Sequence, residues 1–192
     1  MSIEDEYKKH MAPTIAEGYG LDPPGYERLR DWTFLLFQIN YTANELRFLS
    51  EKKPELYDAN NFHEHLSRFC ADIVTYGRCF AQASTGIVSL DAKDVFKGRP
   101  DLKPFHDRMI EIRNGVFAHT GHDELMRATL AVREETDNKT ISIKHMFTPA
   151  LPYRDFPKYS EVVKHVEQDA IVKINKYLAH LEGKLGKKIL IQ

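Results

Sequence analysis

Long apolar runs and a strong net charge are both missing from this chain, and each absence excludes a class of function. No segment reaches the run of about 18 apolar residues that a membrane-spanning helix requires, and the start, Met-Ser-Ile-Glu-Asp-Glu-Tyr, lacks the basic and then apolar order of a signal peptide. The 27 basic and 28 acidic residues give a formal net charge of −1, which excludes a broad basic surface for duplex nucleic acid. The sequence therefore predicts a cytoplasmic protein with no membrane contact, in which any RNA contact is local.

Cysteine is also scarce, with two residues in the whole chain. Cys70 and Cys79 fall nine residues apart in one predicted helix, which puts them on opposite faces and about 13 Å apart along the axis. That separation is too large for a disulfide, so we expect two reduced packing residues.

The short motifs of several enzyme classes are missing as well. The chain has no HExxH pattern, no paired cysteine ligands, no glycine-rich phosphate loop and no Gly-x-Ser-x-Gly elbow. The imidazoles and carboxylates of 106–107 and 119–123 lack a spacing that fixes a metal geometry. Kinases, serine hydrolases and dinucleotide enzymes are therefore disfavoured, and we expect neither a metal nor a cofactor.

The periodicity of the apolar residues predicts a mainly helical protein. Helices are expected over 26–53 and 61–82, around 91–96, after Pro104, and from a cap at Ser160 to about Leu185. Alternation of apolar and polar residues in 129–133 and 140–144 predicts a β-hairpin. These patterns predict an all-α fold, an up-and-down bundle of four to five helices with an inserted β-hairpin.

The chain length of 192 residues suits one domain. Proline and glycine are concentrated near the start, which predicts an irregular N-terminal arm over 1–25. A single helical domain is expected over 26–185, with the hairpin insertion at about 128–147 and a tail over 186–192. Trp32 is expected to anchor the core of this domain.

The stretch Arg113-Asn114-Gly-Val-Phe-Ala-His119 brings a permanent cation, an amide and an imidazole into a segment that otherwise predicts a helix. At about 100° per residue, Arg113 projects from the middle of an apolar stripe, His106 shares its side, and His119 lies roughly 120° away at the edge. A buried arginine almost always has a partner, so Arg113 must meet a carboxylate, carbonyl groups or a cleft. The stripe is formed by Phe105, Met109, Ile110, Ile112, Val116 and Phe117.

This arrangement of an arginine, a polar residue, four further residues and a histidine resembles the RNxxxxH motif of HEPN domains. The wider wording Glu111-Ile-Arg113-Asn114-Gly-Val-Phe-Ala-His119-Thr is similar to the abortive-infection-like bacterial branch of that group. The resemblance covers 26–185 as an order of helices and seven residues as a motif. It implies a homodimeric helical bundle that acts as a metal-independent endoribonuclease, in a toxin–antitoxin or phage-defence setting.

On this resemblance Arg113, Asn114 and His119 are expected to be catalytic. His119 would move the proton of a 2′-hydroxyl, Arg113 would hold the phosphate, and Asn114 would orient one of them. Two motifs facing each other across a dimer twofold would supply two histidines. Supporting or substrate-binding roles are expected for Asp72, Tyr76, His106, Arg108, Thr120 and His122. The expected partners are a second copy, RNA and an antitoxin protein.

A different interpretation of the same residues stays open. Arg113 could pair with a buried acid such as Asp72 or Glu111, and His119 could simply favour the C-terminal end of the helix dipole. The chain would then be a non-catalytic homodimeric module that binds a partner protein, RNA or a nucleotide. A dry core that seals Arg113 favours this module, whereas an open cleft favours the nuclease.

Overall fold

Helices dominate the part of the chain that the structure describes, and a β-hairpin accompanies them. The computed structural model of the chain describes residues 2–16, 26–52, 59–81, 88–117, 126–134, 141–149 and 151–189. This part of the chain contains α1 (Ile3–Ala16), α2 (Glu27–Glu51), α3 (Ala59–Arg78), α4 (Ala92–Val95), α5 (Lys103–Ile112), a π-helical turn (Arg113–Phe117), β1 (Met126–Glu134), β2 (Ile141–Pro149) and α6 (Phe156–Leu185). The all-α fold with a β-hairpin is thus confirmed.

The core lies between α2, α3, α5 and α6. α2 packs against both α3 and α6, and α5 packs against α3 and α6. Trp32 is 7% exposed and lies within this core, as predicted for an anchor. α6 presents an apolar side to its neighbours. α2 buries Trp32, Leu35, Ile39, Leu46 and Leu49 in the core, but it also carries exposed apolar residues, Phe34 and Phe37. None of the described helices is both long and apolar enough to cross a membrane.

α1 differs from the prediction of an irregular arm over 1–25, which is wrong for Ile3–Ala16. Ser2 and Asp5 form a reciprocal cap, in which the backbone N–H of Asp5 donates to Ser2 Oγ and that of Ser2 to Asp5 Oδ2. The other breakers of this region follow α1, and Pro13 alone lies inside it. The cap at the start of α1 therefore favours the helix more than its one internal proline disfavours it.

α6 begins four residues earlier than its predicted cap at Ser160. Asp155 is the N-cap residue and Pro157 occupies the first turn, where a missing N–H costs nothing. The predicted end at Leu185 is confirmed, and it is followed by Gly186 in the left-handed conformation at φ 63°. That conformation is the usual helix stop that glycine allows.

β1 and β2 form the antiparallel hairpin, with Val132 opposite Ile143 and Glu134 opposite Ile141. Side chains alternate between the faces of a strand, so Leu130 and Val132 share one face with the two isoleucines. All four are more than half exposed. This surface is called the apolar hairpin face below.

A candidate anion-binding cavity beside Arg113

The motif Arg113–His119 begins where the α-helical winding of α5 gives way to a π-helical turn. α5 runs to Ile112, and the next five residues, Arg113–Phe117, form a π-helical turn. Such turns hydrogen-bond over five residues rather than four, and they occur frequently at functional sites. The angle of 100° per residue stops applying at Arg113, so the predicted angle of 120° to His119 loses its basis. His119 itself lies outside the described residues.

Arg113 is half-buried and lies across the end of α3. Its Nη1 donates to the side-chain oxygen of Asn114 at 2.9 Å. A Cβ atom on Gly77 would come within 2.8 Å of Arg113 Cδ and 3.1 Å of Nε. Only glycine leaves room at that point of α3 for the arginine side chain.

No described carboxylate lies within ion-pair distance of the Arg113 guanidinium. Glu111 instead pairs with Arg108, with 2.9 Å between Oε2 and Nη1. Both side-chain oxygens of Asp72 are buried without a hydrogen-bond partner. The alternative in which Arg113 pairs with Asp72 or Glu111 is therefore wrong.

Arg113 meets a cleft instead. A cavity of about 450 Å³ is bounded by the end of α3, by residues 89–92, and by α5 with the π-helical turn. Its lining residues are Gly77, Phe80, Ala81, Ser89, Leu90, Asp91, Ala92, His106, Ile110 and Arg113. The size falls within the range of about 300–1,000 Å³ that is usual for small-molecule sites. The predicted juxtaposition of His106 and Arg113 is confirmed, since both line this cavity.

His106 is held by Tyr76. Its Nδ1 lies 2.7 Å from the Tyr76 hydroxyl, and the tyrosine is completely buried. The hydroxyl has no other acceptor among the described residues, so it donates and Nδ1 accepts, which places the ring proton on Nε2. The rings of Phe80 and Phe96 pack against the imidazole at 4.5 and 4.8 Å between centroids.

Burial lowers the pKa of His106 to about 4, while the nearby Asp107 opposes this shift. The imidazole is therefore neutral at neutral pH, because desolvation disfavours its charged form. A neutral ring with a proton on Nε2 can donate one hydrogen bond but cannot supply the cation that protonates a leaving group. Its expected supporting role is accordingly limited to hydrogen bonding and packing.

Asp72 does not reach the cavity. Gly77, where Arg113 meets α3, follows it by five residues, about 7.5 Å along the axis. Burial raises the pKa of Asp72 well above its usual range, the Thr42 hydroxyl partly opposes the shift, and Glu45 adds to it. These neighbours belong to α2, so Asp72 lies at the α2–α3 contact, where burial disfavours its charged form. Asp72 therefore does not contact Arg113 or line its cavity, contrary to the expected supporting role there.

The remaining predicted site residues divide into two groups. Arg108 pairs with Glu111 on α5 and does not line the cavity. Thr120 and His122 lie outside the described residues, as does His119. Within the described ranges no group of three His, Cys, Asp or Glu side chains is placed to hold a metal.

The two cysteines are free thiols, as predicted, and Cys79 is buried. Burial raises the pKa of Cys70 to about 11 and that of Cys79 to about 12. Both remain protonated at neutral pH and are poor nucleophiles.

Sequence reasoning missed Gly77, Ser89 and Asp91. A lone glycine in an apolar helix is a signal of close approach, and Gly77 was such a signal. Asp91 precedes the short helix α4, where its carboxylate accepts from the Lys93 N–H at 2.7 Å. It was therefore recognisable as a cap, but nothing local indicated that it lines the same cavity as Arg113.

Compared with known protein families, with curated proteins and with solved structures, the chain matches none. The likeness to HEPN domains therefore rests on the motif residues and on the order of the helices.

Proposed function

We propose that the chain is a HEPN-like, metal-independent endoribonuclease that cleaves single-stranded RNA. The observation that carries the proposal is the setting of Arg113, a permanent cation at the wall of a cavity with no described carboxylate within 4.0 Å. An arginine with a purely structural role in the wall of a cavity would normally be paired with a carboxylate. A cation that none of the described carboxylates pairs with favours an anionic ligand, and a phosphodiester matches its forked geometry.

The reaction proposed for this site is attack of the 2′-oxygen on the adjacent phosphorus. The new P–O bond forms as the bond to the 5′-oxygen breaks, giving a 2′,3′-cyclic phosphate and a free 5′-hydroxyl. His119 takes the 2′-proton, and the same histidine of a second copy, in its protonated form, gives a proton to the leaving oxygen. Arg113 stabilises the charge on the phosphoryl oxygens, and Asn114 holds the guanidinium through its amide oxygen.

The test is cleavage of a mixed fluorescent RNA and DNA pool in EDTA. The wild type should cut RNA alone, and His119→Ala should lower the rate at least about 100-fold. Arg113→Lys should also be impaired, because lysine keeps the charge but loses the fork. Arg108→Gln serves as the matched control, since it removes an arginine of the same helix that does not line the cavity.

RNA cutting that survives in His119→Ala at the wild-type rate would indicate a contaminant and overturn the proposal. Intact RNA at high protein concentration would overturn it as well.

A second candidate function is a non-catalytic homodimeric module that binds a partner protein, RNA or a nucleotide. The apolar hairpin face favours it, because the side chains described in the hairpin, 130–134 and 141–144, are all exposed, and an isolated two-stranded hairpin is only marginally stable in water. A second copy of the chain is a suitable partner for this face, because a twofold axis brings the same patch of the two copies into contact. Such a dimer is equally compatible with the nuclease, so RNA cleavage separates the two candidates.

A further inference from the structure

Arg113 and Asp91 line one cavity without forming an ion pair. Their charged groups are more than 4.0 Å apart, although both residues line the wall of this cavity. Asp91 Oδ1 accepts from the Lys93 N–H, and no described residue donates to its second oxygen. The lining of the cavity therefore includes one residue that carries a cation and one that carries a carboxylate.

The cavity wall also includes apolar residues. Phe80, Leu90 and Ile110 contribute carbon surface, and Phe80 offers an aromatic ring. Aromatic side chains bind nucleobases by stacking, at about 1–3 kcal/mol per base. A ligand that matches these lining residues has an anionic group, an apolar ring and a hydrogen-bond donor.

Asp91 is held firmly in this position. The backbone N–H of Leu90 donates to the carbonyl of Cys79 at 2.8 Å, which ties the segment before α4 to the end of α3. Its role as the N-cap residue of α4 fixes the carboxylate from the other side. A rigid acceptor of this kind can discriminate between ligands, because a mismatched group leaves it unpaired.

We propose that this cavity binds one nucleotide unit, with its phosphate on Arg113 and an amino-bearing base at Asp91. Adenine, cytosine and guanine present an exocyclic amino group that a carboxylate oxygen accepts. The only ring N–H that uracil can offer lies between two carbonyl oxygens, which the carboxylate repels. The inference rests on the proposed function for the phosphate position and adds a base preference to it.

The test is calorimetric titration of the full chain with the four nucleoside 3′-monophosphates, with inorganic phosphate and ribose 5-phosphate as base-free probes. We expect the three amino-bearing nucleotides to bind at least about fivefold tighter than the uridine nucleotide. Both base-free probes should bind more weakly than any amino-bearing nucleotide.

Asp91→Asn is the decisive variant. Asparagine caps a helix as well as aspartate does, so α4 should persist. The amide presents an N–H₂ donor in place of an oxygen, and the preference should shift toward the uridine nucleotide. Ser89→Trp should block the cavity from an exposed position, whereas Ser67→Trp, exposed on α3 and outside the cavity, should bind normally.

The outcomes separate this inference from the nuclease proposal. Equal binding of all four nucleotides, or a preference that Asp91→Asn leaves unchanged, overturns the base assignment even if RNA is cut. Base-dependent binding that Asp91→Asn alters supports the inference, and it does so even in a protein that leaves RNA intact.

Discussion

The Tyr76 hydroxyl lies 2.7 Å from Nδ1 of His106, and both side chains are buried between α3 and α5. This bond selects the tautomer of the histidine that lines the cavity. Tyr76→Phe would keep the ring but leave Nδ1 without its donor, at a cost of about 1–3 kcal/mol for a buried unsatisfied group. Urea unfolding should show that loss of stability.

Tyr7→Phe is the matched control for this variant. Tyr7 is 63% exposed on α1, so removing its hydroxyl should leave the free energy of unfolding unchanged. Equal stability of Tyr76→Phe and the wild type would contradict the buried bond.

The lowered pKa of His106 predicts a loss of stability in acid. In the unfolded chain the imidazole has its ordinary pKa of about 6.5, whereas in the folded protein the pKa is about 4. The stabilisation is complete above about pH 6.5 and is lost as the pH falls through the folded pKa, with a total of about 3 kcal/mol. Urea unfolding at pH 7.5, 6 and 5 should show this slope.

His106→Gln should flatten the dependence of stability on pH, because the glutamine side chain does not titrate. Burial also lowers the pKa of His65, so part of the slope should remain. His180→Gln removes an exposed histidine and should leave the slope as it is. A slope that is the same in His106→Gln and the wild type would show that the imidazole titrates normally.

The raised pKa of Asp72 predicts the opposite dependence of stability on pH. Its folded pKa is raised by burial well above the usual range, so its stabilising effect is complete below pH 3.8 and is lost as the pH rises through the folded value. Asp72→Asn keeps the shape and removes the titration. The variant should therefore gain in stability relative to the wild type between pH 4 and pH 8.

Asp94→Asn, an exposed change on α4, provides the reference for that comparison. If the stability difference between Asp72→Asn and the wild type were the same at both pH values, the carboxyl would not be held neutral.

Gly77→Ala should separate activity from stability. The added methyl group would meet Arg113 Cδ at 2.8 Å and displace the flexible arginine side chain. Alanine also favours a helix over glycine by up to about 1 kcal/mol, which offsets the clash. We expect a folded protein of similar stability whose RNA cleavage and nucleotide binding are both weakened.

Gly183→Ala is the comparison for this change, because a methyl group there meets nothing within 4 Å. It should raise the melting temperature and leave cleavage and binding unaltered. Full activity in Gly77→Ala would mean that the position of Arg113 across α3 is unimportant.

The apolar hairpin face predicts an effect on association. Val132→Lys places a charge in the middle of that face and should shift the protein from dimer to monomer in analytical ultracentrifugation. Ala131→Lys adds the same charge to the opposite, exposed face and should leave the dimer intact. A monomeric wild type at every concentration, or equal behaviour of the two variants, would exclude this contact.

Elements with a clear hydrophobic pattern were predictable from the sequence, whereas the contacts between elements were not. α2, the hairpin and the end of α6 follow from apolar spacing and from Gly186, which are local signals. Asp72 and Tyr76 lie on the same helix, yet one faces α2 and the other meets His106, a distinction that depends on how the helices pack. The cavity itself joins three separate segments, so no single stretch of sequence contains it.

The π-helical turn at Arg113–Phe117 changes what a sequence motif can mean. A motif written as a number of intervening residues describes a distance along the chain, and it becomes a direction in space only when the winding of the helix is known. Two chains with the same letters, one with a π-helical turn and one with a regular α-helix, would aim the side chains after the arginine differently.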